Sequence, residues 1–141
     1  IRRIRRNQQV LGELANLDEF LFGSERRPLF EYRSILRNDQ DGCFYCGRKM
    51  SKADVDHFIP WVRYPLDLGH NFVLAHPACN NKKRDSLATS DFRRRWEFRN
   101  KTETSLIEDF DQAELPHNLT VTLAVADWAY NGKDDAMLWQ P

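Results

Sequence analysis

The sequence predicts an α+β fold: a small, mainly helical domain built around two short strands and a helix that a metal site staples together. Three observations predict it. Four candidate ligands fall in two pairs of equal spacing, Cys43-Phe-Tyr-Cys46 and His76-Pro-Ala-Cys79. Between and around them, two short apolar runs read as strands, while helix-period apolar residues flank the segment. A chain of 141 residues has room for one modest core and not for two domains, and 41% hydrophobic residues with nine Phe, four Trp and four Tyr exclude a disordered chain. The expected organisation is one domain over residues 1–141, with a helical part over 1–40, the stapled core over 41–88 and C-terminal helices over 89–141.

The elements follow in order. Val10, Leu11, Leu14, Leu17 and Leu21 keep helical spacing and Gly23 ends it, which predicts an amphipathic helix over 7–22. Pro28 suits the first turn of a second helix over 28–38, with Leu29, Tyr32, Ile35 and Leu36 on one side. The run Asn38 to Gly42 breaks the chain. Residues 54–61 read as a strand that Pro60 stops, since proline cannot donate to a ladder, and 71–76 as its partner. A helix begins within 79–88, and another spans 91–100, capped by Ser90 or Asp91 with Phe92 and Trp96 four residues apart. In the tail, Leu119, Val121, Leu123 and Val125 alternate as a strand would, but the Ala-rich run up to Asn131-Gly132 favours a helix with a glycine stop.

Three cysteines cannot close into a disulfide framework, so metal binding is the better reading. In Cys43-Phe-Tyr-Cys46-Gly47 a tight turn brings both thiolates to one ion, and Gly47 accepts an unusual backbone dihedral. Cys43, Cys46, His76 and Cys79 together make the closed tetrahedral set of structural zinc. A thioredoxin-like redox pair would leave the second pair unexplained.

Net charge is zero, but its distribution is not even. Residues 1–102 hold 20 Lys/Arg against 13 Asp/Glu, a net of +7, and residues 103–141 hold one Lys against eight acids, a net of −7. That asymmetry predicts a basic working face and an acidic segment elsewhere. No stretch approaches the roughly 20 apolar residues that span a bilayer, and the start lacks the apolar block of a signal peptide, so a soluble cytoplasmic protein with no membrane partner is expected. The first residue is Ile1, which suggests a piece of a longer, multidomain chain.

Between the halves of the zinc site lies Asp56-His57, and directly after the last ligand lies Asn80. Adjacent strand residues point to opposite faces, so a distorted strand end or bulge is needed for Asp56 and His57 to meet one substrate. A zinc clamp at both ends would bring Asp56, His57 and Asn80 together without a large core. Cys43-Phe-Tyr-Cys-Gly47, Val55-Asp-His-Phe-Ile-Pro60, Asn71-Phe-Val-Leu-Ala75 and His76-Pro-Ala-Cys-Asn-Asn-Lys-Lys-Arg-Asp85 resemble the HNH endonuclease family, whose fold is a ββα-metal core. The resemblance covers 43–87. It implies that His57 is the general base, that Asp56 is a ligand of a catalytic metal and that Asn71 pins the loop between the strands. Asn80 stands where the family usually has its last His, as in active His-Asn-Asn variants, and His76 stands in place of a usual Cys. A carboxamide oxygen is a hard ligand, which favours Mg2+ or Mn2+ at that second site.

The implied activity is hydrolysis of DNA phosphodiester bonds, leaving 5' phosphate and 3' hydroxyl ends, in a bacterial or phage setting such as defence. Lys82, Lys83 and Arg84, one turn from Asn80, are candidate phosphate contacts, and Arg93, Arg94, Arg95, Arg99 and Lys101 form a second basic run with Trp96 and Phe98 between them. Arg2, Arg3, Arg5 and Arg6 are a further basic cluster, and His70 and His117 read as loop residues without metal spacing. The alternative is a zinc-stapled nucleic-acid binding module without catalysis, and a third reading is an adaptor that uses the acidic tail.

Overall fold

The structure is a computed structural model that describes residues 29–63, 65 and 67–141. The helix expected over 7–22 and the arginines at 2, 3, 5 and 6 lie outside the described residues. Helix α1 (Leu29–Asp39) is followed by strand β1 (Asp54–His57), a 3-10 turn (Gly69–Asn71), strand β2 (Phe72–Ala75) and helix α2 (Pro77–Lys83). Helices α3 (Ser90–Thr102), α4 (Ser105–Gln112) and α5 (Leu119–Tyr130) and a last 3-10 turn (Asp135–Met137) complete the α+β order. No helix among the described residues is long and apolar enough to cross a membrane.

The strands pair antiparallel, with Asp54 opposite Ala75 and His57 opposite Phe72. All four residues of β2 are buried, which is why Phe72-Val-Leu-Ala75 is a continuous apolar run and does not alternate. Strand β1 is shorter than the 54–61 expected. Beyond His57 its pairing passes to Asn71: the Phe58 amide donates to the Asn71 carbonyl at 2.8 Å, the Ile59 amide donates to Asn71 Oδ1 at 2.8 Å, and Asn71 Nδ2 donates to the Ile59 carbonyl at 3.1 Å. A side chain thus replaces the ladder before Pro60 is reached.

Helix α2 also departs from expectation, starting at Pro77 and ending at Lys83. Proline fits the first turn, where its missing N–H would have no partner. Arg84 then takes a positive φ of 48° with ψ −127°, which turns the chain off the helix axis. The tail is helical, as the Ala-rich run suggests: Asn118 Oδ1 caps the Val121 amide at 3.0 Å, and Gly132 at φ +74° ends the run. Helix α4 was not singled out by the sequence. It is eight residues long and anchored by Leu106 and Phe110, one turn apart and both buried.

The core gathers around β2. Tyr32 of α1 packs on Phe72 (ring centroids 4.7 Å apart) and on Phe110 of α4 (5.8 Å), and Trp96 of α3 stacks on Phe58 at 4.6 Å. Gly69 passes so close to Phe110 that a Cβ there would come within 2.5 Å of the ring. The C-terminal residues return to the middle of the chain, where the Trp139 amide donates to the Leu87 carbonyl at 2.8 Å and its indole packs edge-on against Tyr45.

Candidate active site and metal centre

The knuckle is a tight turn. The Gly47 amide donates to the Cys43 carbonyl at 2.9 Å, the Cys43 amide donates to the Arg48 carbonyl at 2.8 Å, and Gly47 sits at φ +76°. The second ligand pair brackets the start of α2. Cys43, Cys46, His76 and Cys79 offer ligand atoms that all lie within 4.8 Å of one another, close to the roughly 3.8 Å edge of a tetrahedron with zinc–sulfur bonds of about 2.3 Å. His76 Nε2 faces the Lys49 carbonyl at 3.0 Å, and Nδ1 lies 3.3 Å from Cys46 Sγ. Donation from Nε2 to that carbonyl leaves the Nδ1 lone pair for the ion. The four could therefore hold a metal such as zinc.

Their acid–base properties suit that role. Burial pushes the Cys43 thiol up, but backbone hydrogen bonds from Cys46, His76 and Tyr45 outweigh it and bring the thiol down to about 7. Burial, followed by the neighbouring Cys43 and Cys46 sulfurs, pushes Cys79 up to about 12. One thiol of the cluster gives up its proton readily and another resists; a divalent ion between them removes that resistance.

The second cluster is an open cleft of about 330 Å3, to which Asp56, His57, Trp61, Asn80, Asn81 and Arg84 contribute. Asp56 and His57 reach the same cleft without a bulge, because β1 ends at His57 and the chain bends there. Asp56 is buried, and its Oδ2 takes two contacts: the Tyr45 hydroxyl donates to it, and Lys83 Nζ lies 3.4 Å away. Burial raises the Asp56 pKa, against the Lys83 charge and the Tyr45 hydrogen bond. Burial likewise lowers the Lys83 pKa, against the attraction of Asp56. Each group offsets part of the desolvation cost of the other.

The His57 ring meets Phe72 edge-on at 4.8 Å and Trp61 at 5.7 Å, and its Nε2 lies 2.7 Å from Asp67 Oδ1. Asn80, on the first turns of α2, turns its side chain to the cleft, and its carboxamide makes no hydrogen bond among the described residues. Asn71 is fully buried and serves the Ile59 backbone, away from the cleft.

The expected phosphate contacts divide. Lys82 and Arg84 are exposed, and Arg84 lines the cleft. Lys83 is a correction: it is fully buried, and its ammonium donates to the His57 carbonyl at 3.2 Å, so it cannot meet a phosphate at the surface. The second basic run is also largely spoken for. Arg93 pairs with Glu97 at 2.9 Å and Asp127 at 2.5 Å, Arg94 with Asp91, and Arg99 donates to the carbonyls of Phe72 and His70 at 2.7 and 3.0 Å. Arg95 lies over the Phe92 ring at 4.4 Å. His70 lies in the 3-10 turn of the loop between the strands and is fully buried against Phe110.

Tyr45 and Asp67 were not marked as site residues by the sequence. Tyr45 stands between two metal ligands, which was a usable signal; Asp67, in the loop between the strands, carried none.

Residues 43–86 match the family model of the HNH endonuclease, so the resemblance holds for the knuckle, both strands and α2. Members of that family are in general nucleases. Comparison with curated proteins and with solved structures gave no match.

Proposed function

We propose that the protein is a metal-dependent endonuclease that hydrolyses DNA phosphodiester bonds. The observation that carries this reading is the convergence of Asp56, His57 and Asn80 on one cleft whose wall includes Arg84. A binding module needs basic residues and a zinc staple, but has no use for a carboxylate facing a phosphate.

The chemistry follows from the groups present. His57, neutral, takes a proton from the attacking water as general base. Asp56 and the Asn80 carboxamide oxygen are the hard donors that would hold Mg2+ or Mn2+. Because Tyr45 and Lys83 both engage Oδ2, Oδ1 is the Asp56 oxygen left for a cation. A cation bound there supplies Lewis-acid stabilisation of the charge that develops on the phosphate and on the leaving 3' oxygen. Lys82 and Arg84 add phosphate contacts that give affinity without sequence information. The zinc cluster holds 43–46 against 76–79 and so fixes Asn80 beside β1.

The test is supercoiled plasmid incubated with the protein in Mg2+, in EDTA, and with the His57→Ala variant in Mg2+. Relaxed or linear DNA in the first alone is the expected result. General-base assistance is worth about 100- to 10,000-fold, so the variant falls by that factor while its melting curve stays unchanged. Intact plasmid in all three, with plasmid retained by the protein, would establish the non-catalytic binding module instead.

A further inference from the structure

We infer that Asp67 is the positioning residue of His57, holding the ring in the tautomer that leaves Nδ1 free to accept a proton; the inference rests on the nuclease reading above. Asp67 follows His57 by ten residues in the loop between the strands, and its Oδ1 lies 2.7 Å from His57 Nε2 with both side chains partly buried. An ionised carboxylate only accepts hydrogen bonds, so the proton of that contact sits on Nε2. Nδ1 makes no hydrogen bond with a described residue and is not sealed from solvent, unlike both nitrogens of His70. The geometry therefore separates the ring into an anchored nitrogen and an open one, as a carboxylate behind a metal-bound histidine fixes that ring's tautomer.

The anchor is itself held from outside the segment that matches the family. The Tyr32 hydroxyl of α1 reaches the Asp67 carbonyl at 3.5 Å and the Pro116 carbonyl at 3.1 Å. Immediately after Asp67, Leu68 is buried and the Gly69 amide donates to the Pro116 carbonyl at 3.0 Å. A loop carboxylate tied down at its own backbone keeps its side chain in place at a low entropy cost. Phe72 and Trp61, both edge-on to the ring it holds, restrict that ring further.

The experiment uses the full 15N-labelled chain with its zinc and reads the His57 ring by long-range proton–nitrogen correlation, beside plasmid-cleavage kinetics on the same samples. The wild type is expected to show the Nε2–H form alone. Asp67→Ala should mix the tautomers and lower kcat by about 10- to 100-fold with KM little changed. Asp67→Asn, the same size and able to offer an N–H to Nε2, should populate the Nδ1–H form and lose at least as much, which keeps the test alive if the alanine variant does not fold. Asp67→Glu should recover part of both readouts. An Nε2–H tautomer and a wild-type rate retained in Asp67→Asn would overturn the inference while leaving the nuclease reading intact. A tautomer lock in a wild type that cuts no DNA would sink the nuclease reading, and with it the catalytic role of Asp67.

Discussion

The cluster of Cys43, Cys46, His76 and Cys79 and the cleft of Asp56, His57 and Asn80 share one short stretch of chain, yet they are assembled in different ways. The first is closed and self-sufficient: its ligand atoms lie within 4.8 Å of one another, and each ligand is placed by its own turn or helix start. The second is open and dependent. Asp56 is held by Tyr45 from the knuckle and by Lys83 from the end of α2, and His57 is met by Asp67 from the loop between the strands. A closed ligand set can be built from local spacing, whereas an open cleft needs supports from several elements.

Metal removal probes that difference most severely. A structural zinc site is worth on the order of 10 kcal/mol, as much as a whole domain's usual stability. Stripping the metal with a strong chelator should therefore abolish the cooperative melting transition seen by circular dichroism, and re-added Zn2+ should restore it. A metal-free protein that melts as before would mean that the closed cluster supports nothing.

A smaller effect separates the supports of the cleft. Lys83→Met leaves the Asp56 carboxylate buried without its counter-charge, and breaking such a pair costs about 3–5 kcal/mol. Urea denaturation measures it. Unchanged stability would show that Lys83 merely fills space.

The smallest effect lies away from both sites. His70 is fully buried with neither ring nitrogen hydrogen-bonded to a described residue, and burial, helped by the Arg99 and His117 charges, lowers its pKa to about 4. The folded state resists protonation that the unfolded chain accepts near 6.5, so stability is full above that value and falls as pH drops toward 4, by up to about 3 kcal/mol. A His70→Phe variant should show a flatter profile across that window, measured by denaturation at fixed pH steps. An equal slope in both would assign the acid sensitivity elsewhere.

The same contrast explains what could be read from the chain. The candidate metal-ligand set was legible because a two-residue gap fixes ligand geometry locally, and β2 because a buried strand has to be apolar throughout. The end of β1 was not, since Asn71 replaces the ladder with its side chain from fourteen residues beyond His57, and no local propensity signals that. Lys83 read as one of three basic surface residues; only the tertiary position of β1, with the His57 carbonyl and Asp56 beside α2, turns it inward. Asp67 was invisible because a single loop carboxylate has no spacing to betray it. Helix α4 is only eight residues long, little more than two turns, too short for its helical period to rise above its surroundings.

Under the proposed function, one chain segment holds two ions of different kinds, a resident one on the sulfur and imidazole of Cys43, Cys46, His76 and Cys79 and an exchangeable one on Asp56 and Asn80. Anomalous diffraction from crystals soaked in Mn2+, with data collected at the zinc and manganese edges, tests it directly. The expected result is a zinc-edge peak among Cys43, Cys46, His76 and Cys79 and a manganese peak bonded to Asp56 and Asn80 beside His57. Manganese absent from the cleft at saturating concentration, with Asp56 engaged only by Tyr45 and Lys83, would contradict it.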